Sequence, residues 1–141
     1  MAALKKRYYP KLAEEVYSAT LDNGMSLSII KKKEFIEKAA FLSTNFGALD
    51  NHFYIDGELQ TYPAGIAHFL EHKLFEDDQG RDVTLEFVKL GADVNAFTTL
   101  DRTTYYFSTI DHFEESLELL LKFTAEFTSS EDTVNHEKKI I

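Results

Sequence analysis

Apolar positions along the chain change period repeatedly, and each change predicts an element. Residues 1–15 are polar and predict an extended lead-in. Val16–Leu21 and Met25–Ile30 combine apolar, β-branched and hydroxyl residues, as strands do. Asp22, Asn23 and Gly24 between them supply turn chemistry. Residues 31–38, with three consecutive lysines, form a polar connection. The pattern then alternates, with Ala40, Leu42, Thr44 and Phe46 on one face of a third strand that Gly47 ends. Residues 51–65 have no helical period and contain Gly57, Pro63 and Gly65, so they predict a loop.

Helical spacing follows. A helix is predicted from Ala64 to Phe75, and a short second one lies between Asp82, a candidate N-cap, and Gly91, at its C-terminal end. Two strands, Val94–Thr98 and Thr103–Ile110, flank the turn "TLDR". Phe113, Leu117, Leu120, Leu121 and Thr124 recur at helical spacing, and Asp111 with Glu114 forms an acidic variant of the capping box. "SSEDTVNHEKKII" starts a last helix with no stop signal. Strands, helix, helix, strands, helix, helix is the order of an α+β fold, with helices packed on a mostly antiparallel sheet.

Composition narrows the function. The chain has 141 residues, enough for one modest domain, and a formal net charge of -9. That charge argues against a nucleic-acid backbone as partner, because phosphate binding needs clustered Lys and Arg. There is no cysteine, so a metal site must be built from His and carboxylate. The basic N-terminus is followed by no apolar run, and no stretch nears the roughly 20 apolar residues of a membrane span. The expectation is a cytoplasmic protein with no membrane partner.

Candidate chemistry sits in "GIAHFLEHKLF". On a helical wheel Ile66, Ala67, Phe69, Leu70 and Leu74 fall on one side, and His68, Glu71, His72 and Phe75 on the other. Histidines four apart lie one above the other on a helix. Two imidazoles so placed can hold one zinc ion, and Glu71 can reach a water on the metal and act as general base. The plainer reading is a surface helix with two unrelated histidines. Two ligands do not complete a site, since a catalytic zinc has three protein ligands and an open position. Among the other candidates, His52 lies in the predicted loop and His112 opens a helix, where solvent exposure is the better reading, and His136 falls in the last helix. Glu137 shares a face of that helix with Val134 and Ile141, so it is either at the solvent edge of an apolar stripe or aimed at something cationic.

"GIAHFLEHKLF", "GADVNAFTTLDRTTYYFST" and "VNHEKKII", taken together, resemble the M16 family of zinc metallopeptidases. These are the inverzincins, whose signature is His-x-x-Glu-His. Pitrilysin, insulin-degrading enzyme and the mitochondrial processing peptidases belong there, and segment order and spacing most resemble those of a bacterial branch called YmfH-like. The resemblance implies a zinc endopeptidase with His68 and His72 as zinc ligands and Glu71 as general base. Asn95 and Ala96 match an "NA" on an edge strand that pairs with an extended peptide substrate, consistent with β-augmentation. Without the resemblance Asn95 reads as a turn or strand-end residue, whereas Tyr105, Tyr106 and Phe107 read as sheet core either way.

Glu137 matches the first of two family glutamates seven residues apart in the last helix. The second, the third zinc ligand, would fall at position 144. Residues 16–141 are therefore expected to be an incomplete peptidase domain, truncated at its C-terminal end and inactive alone. A second, homologous half or partner subunit is expected to close over the substrate, and apolar surface left uncovered favours a homo-oligomer of this stretch. The rival reading is a non-catalytic peptide-binding or scaffold subunit of the same fold. Such members typically lose parts of the metal motif, which is intact here.

Overall fold

The computed structural model describes residues 3–77, 79–127 and 131–137, with nothing described for the side chains of Thr133, His136 and Glu137. The chain divides into two compact units, Met1–Ile36 and Glu37–Ile141.

In the first unit, strands β1 (Lys5–Tyr9), β2 (Glu14–Thr20) and β3 (Ser26–Ile30) form an antiparallel sheet in the order β1-β2-β3. The polar segment expected to be a lead-in thus contains a paired strand. It escaped the hydrophobic pattern because it is an edge strand exposed at all but one position, so it has no apolar face to alternate. Its register sets Arg7 opposite Val16, and Lys6 pairs with Glu15 at 2.6 Å. Asn23 accepts a 3.0 Å bond from the Met25 N–H and closes the expected β2–β3 turn.

The second unit starts with β4 (Lys38–Thr44). Residues 51–65, expected to be a loop, instead carry a hairpin, β5 (His52–Ile55) and β6 (Glu58–Thr61). Asp56 and Gly57 turn it with φ of 51° and 84°, both positive as a two-residue type I′ turn requires. Helices α1 (Ile66–Leu74) and α2 (Thr84–Lys89) follow, then strands β7 (Asp93–Thr98) and β8 (Thr103–Thr109), and helices α3 (Phe113–Ala125) and α4 (Glu131–Glu137). The sheet order is β4-β8-β7, all antiparallel, which leaves β8 central and β7 at an edge.

Helices α1, α2 and α3 pack on this sheet: α1 against β7 and β8, α2 against β7, α3 against β8 and β4. Between them lies a core of Phe87, Ala92, Tyr105, Phe107, Leu120 and Phe123, extended by Ala40, Leu42, Val94 and Ala96. Ala40 and Leu42 point to the core as their alternation predicts. Phe41, Tyr106 and Phe97 point the other way and form a row of rings, with centroids 5.3 Å and 6.1 Å apart. No helix among the described residues is long and apolar enough to cross a membrane.

Helix ends depart from expectation in instructive ways. Asp82 does bond the Thr84 N–H, at 2.8 Å, although Val83 is the formal N-cap. The Gly91 and Ala92 N–H groups bond the Val88 and Phe87 carbonyls and end α2 as a Schellman motif does. The Asp111–Glu114 capping box does not form. His112 is the N-cap of α3, in a left-handed conformation with no side-chain cap bond, and the Ser116 hydroxyl bonds its carbonyl at 2.8 Å instead. The buried stripe of α3 runs through Ser116, Leu120 and Phe123, and Leu121 is exposed.

Candidate metal centre

Helix α1 starts at Gly65 and presents its residues in an order the wheel did not anticipate. Its fully buried positions are Ala67, Glu71 and Lys73, with Leu74 and Phe75 packed on the core. Two of the three are charged, and charges are buried only when paired or hydrogen-bonded. Lys73 is ion-paired with Glu76. Glu71, only 8% exposed, accepts a hydrogen bond from the Thr98 hydroxyl on β7. The Tyr105 phenol lies close by. Burial raises its pKa well above the ordinary tyrosine value, and the Glu71 charge adds to the rise.

His68 and His72 face outward from α1 and meet each other. Their Nε2 atoms are 3.0 Å apart and their rings are nearly perpendicular, with centroids 4.6 Å apart. Two imidazoles on one tetrahedral zinc at about 2.0–2.1 Å would hold their nitrogens about 3.3 Å apart. The observed pair is therefore set for chelation with a shift of a few tenths of an ångström. One ligand atom from each of His68, Glu71 and His72 lies within 4.8 Å of the others. Two imidazole nitrogens and a carboxylate oxygen are a donor set that zinc accepts.

A cleft of about 430 Å³ opens beside this group. Glu71 and His72 line one side, and Val94, Asn95 and Ala96 of β7 the other. No strand among the described residues pairs with the outer edge of β7. Asn95 is exposed there, and its side-chain oxygen accepts a 2.8 Å hydrogen bond from the Ala96 N–H.

The structure thus brings together five residues singled out by sequence: His68, Glu71, His72, Asn95 and Ala96. His52 lies on β5, bonded to its neighbour Asn51 at 2.8 Å, and His112 faces Glu115 at 3.3 Å; both are exposed, as expected. Glu137 ends α4, a helix that contacts α1, but its side chain, like that of His136, lies outside the described residues. Sequence reasoning missed Thr98. Its trace was a hydroxyl at a core-facing position, two residues after Ala96 on the same face of β7.

A sequence profile described as insulinase, peptidase family M16, matches residues 59–141. The chain belongs to this family. Among relatives in the insulinase family, YmfH of Bacillus subtilis, named an uncharacterized zinc protease, is 42% identical over 140 residues. That match covers 98% of this chain and 32% of YmfH, so the chain spans about a third of that relative's length. The crystal structure of an M16-like peptidase from Alicyclobacillus acidocaldarius superimposes with a TM-score of 0.84 at 36% identity, over 90% of this chain and 30% of that one. Pitrilysin shares the fold, with a TM-score of 0.73 at 19% identity over 97% of this chain and 15% of its own.

Proposed function

We propose that these residues are the metal-binding part of a zinc-dependent endopeptidase. The observation that supports it most is the meeting of two imidazole nitrogens with a buried carboxylate, beside a strand edge that no described strand pairs. His68 and His72 would hold Zn2+ through Nε2. Bound there, the ion supplies a Lewis acid that acidifies water and polarises a peptide carbonyl.

The chain's own groups would do the rest. Glu71 takes a proton from the attacking water at its free carboxylate oxygen and returns it to the leaving amine. The edge of β7 at Asn95 and Ala96 receives the peptide as an added strand, which fixes register by backbone hydrogen bonds. For Asn95 this requires its side chain to release the Ala96 N–H. Glu137 is assigned to the same catalytic group, on its match to the family's last helix. A second homologous half or subunit would close the cleft.

The decisive variant is Glu71→Gln in a protein that contains these residues and cleaves peptide. Hydrolysis should fall at least a hundredfold while zinc stays bound at one ion per chain. An unchanged rate would remove Glu71 from the mechanism. The 141-residue chain alone, with two clear ligands, should bind zinc weakly, cleave nothing and self-associate. Calorimetry showing tight one-to-one binding would point to a third ligand from within the chain or from another copy.

A further inference from the structure

We infer that Thr98 is a positioning residue for the Glu71 carboxylate. The inference rests on the peptidase reading for its kinetic consequence, but not for its geometry.

Thr98 occupies the last rung of β7. Burial alternates along that strand, with Val94, Ala96 and Thr98 turned toward α1 and Asp93, Asn95 and Phe97 turned out. Val94 shows what such a position ordinarily takes, an apolar side chain packed on the core. Valine has the shape of threonine, and a half-buried hydroxyl is unfavourable unless it finds a partner. The partner is Oε2 of Glu71, which accepts the Thr98 O–H.

In that bond the hydroxyl donates and the carboxylate oxygen accepts. A hydroxyl has one proton to give. Thr103, the cross-strand partner of Thr98, gives its own to the Phe46 carbonyl at 2.8 Å. The Thr98 and Thr103 oxygens are 3.3 Å apart, so Thr103 stands behind Thr98 and limits its movement. The chain leaving β4 closes over this end of the hairpin, with the Ala48 and Leu49 N–H groups bonded to the Thr99 and Leu100 carbonyls at 2.9 Å and 3.0 Å. Thr98 is thus held on a rigid element while Glu71 extends to it from a helix. One carboxylate oxygen is occupied by Thr98, and Glu71 lines the cleft together with His72. The strand that offers its edge at Asn95 and Ala96 also sets the aim of the base.

The test uses Thr98→Val, which keeps the shape, and Thr98→Ser, which keeps the hydroxyl. In the peptide-cleaving protein that contains these residues, Thr98→Val should lower kcat by about ten- to a hundredfold, the scale of a small misplacement of a catalytic group. KM should stay within about twofold and zinc stoichiometry at the wild-type value, and Thr98→Ser should recover most of the rate. Equal kcat in Thr98→Val and wild type, or a serine variant as slow as the valine one, would overturn the inference. A second readout needs neither metal nor activity. In the metal-free 141-residue chain the two Glu71 γ-methylene protons should have distinct NMR shifts in wild type and Thr98→Ser, and collapse toward one in Thr98→Val. Collapsed shifts in wild type would overturn the positioning role. A wild-type protein with this NMR signature but no hydrolysis would instead remove the peptidase reading and leave the Thr98–Glu71 contact supported.

Discussion

Lys73 exposes none of its side chain, yet it lies one residue from a proposed ligand and depends on Glu76, whose side chain is 30% exposed, for its counter-charge. Removing one partner of such a pair leaves a buried charge uncompensated, which costs several kcal/mol when both are buried. With Glu76 partly in water, Glu76→Gln should cost about 1–3 kcal/mol. Lys73→Met, which removes the buried charge itself, should cost less. Urea midpoints of the two variants give that order, and the reverse order would mean that the pair is not what stabilises the site. The loop beyond Glu76 answers to pH. Hydrogen bonding by the Arg81 backbone N–H, with the Arg81 side chain and the Gln79 N–H, holds the Asp77 carboxyl below its ordinary value of 3.8. A depressed carboxylate stabilises the fold above its unfolded pKa and loses that effect as pH falls through the folded one. The Gln79 and Arg81 amide shifts should therefore be flat near neutrality and move only at pH below about 4. At this scale the motif residues were legible because helical spacing alone stacks His68 on His72. Lys73, Glu76 and Thr98 were not, since their roles come from partners that only the packing of α1 on β7 supplies.

The β5–β6 hairpin shows what an element needs to be read. "YIDGEL" carries Asp-Gly between short runs, a strong hairpin signal. Pro63 and Gly65 just beyond it made the whole segment look like loop. At Gly57, φ is +84° and an added Cβ would meet nothing within 4 Å. Gly57→Ala should then cost only the left-handed backbone penalty, about 1–2 kcal/mol, confined to faster amide exchange in β5 and β6. Gly47→Ala is a different case. Its Cβ would come within 2.6 Å of the Asp101 backbone nitrogen, where no flexible side chain can yield. The hairpin tip must shift, so Gly47→Ala should be the more destabilising and should disturb Thr98 as well, read from amide shifts along β7 and β8. Strand β4, with Ala40 and Leu42 turned inward, was legible from alternation, whereas central β8 is buried at nearly every position. The face of α1 was not legible, because it buries Glu71, which the wheel set opposite the apolar residues, together with Lys73.

At the scale of the whole molecule, the α+β class and its helices on an antiparallel sheet followed from element order, whereas the division after Ile36 did not, since β1 carries no apolar pattern to show that it pairs. His68, Glu71, His72, Asn95, Ala96 and Thr98 all belong to the unit that begins at Glu37. A chain lacking residues 1–36 should therefore keep the zinc affinity of the 141-residue chain within about threefold, and visible spectra of its cobalt form should match. A lost or altered spectrum would show that the first unit contributes to the site.

One hydrogen bond has a consequence for solubility. An unpaired strand edge is a template on which copies of a chain can stack into aggregates, and proteins blunt such edges in various ways. Here Asn95 turns its side-chain oxygen onto the next backbone N–H and removes one donor from that template. The same amide cannot serve a stranger while its neighbour holds it. Asn95 thereby acts as a reversible guard, and Asn95→Ala should show itself first as turbidity on concentration, before any assay of function is attempted.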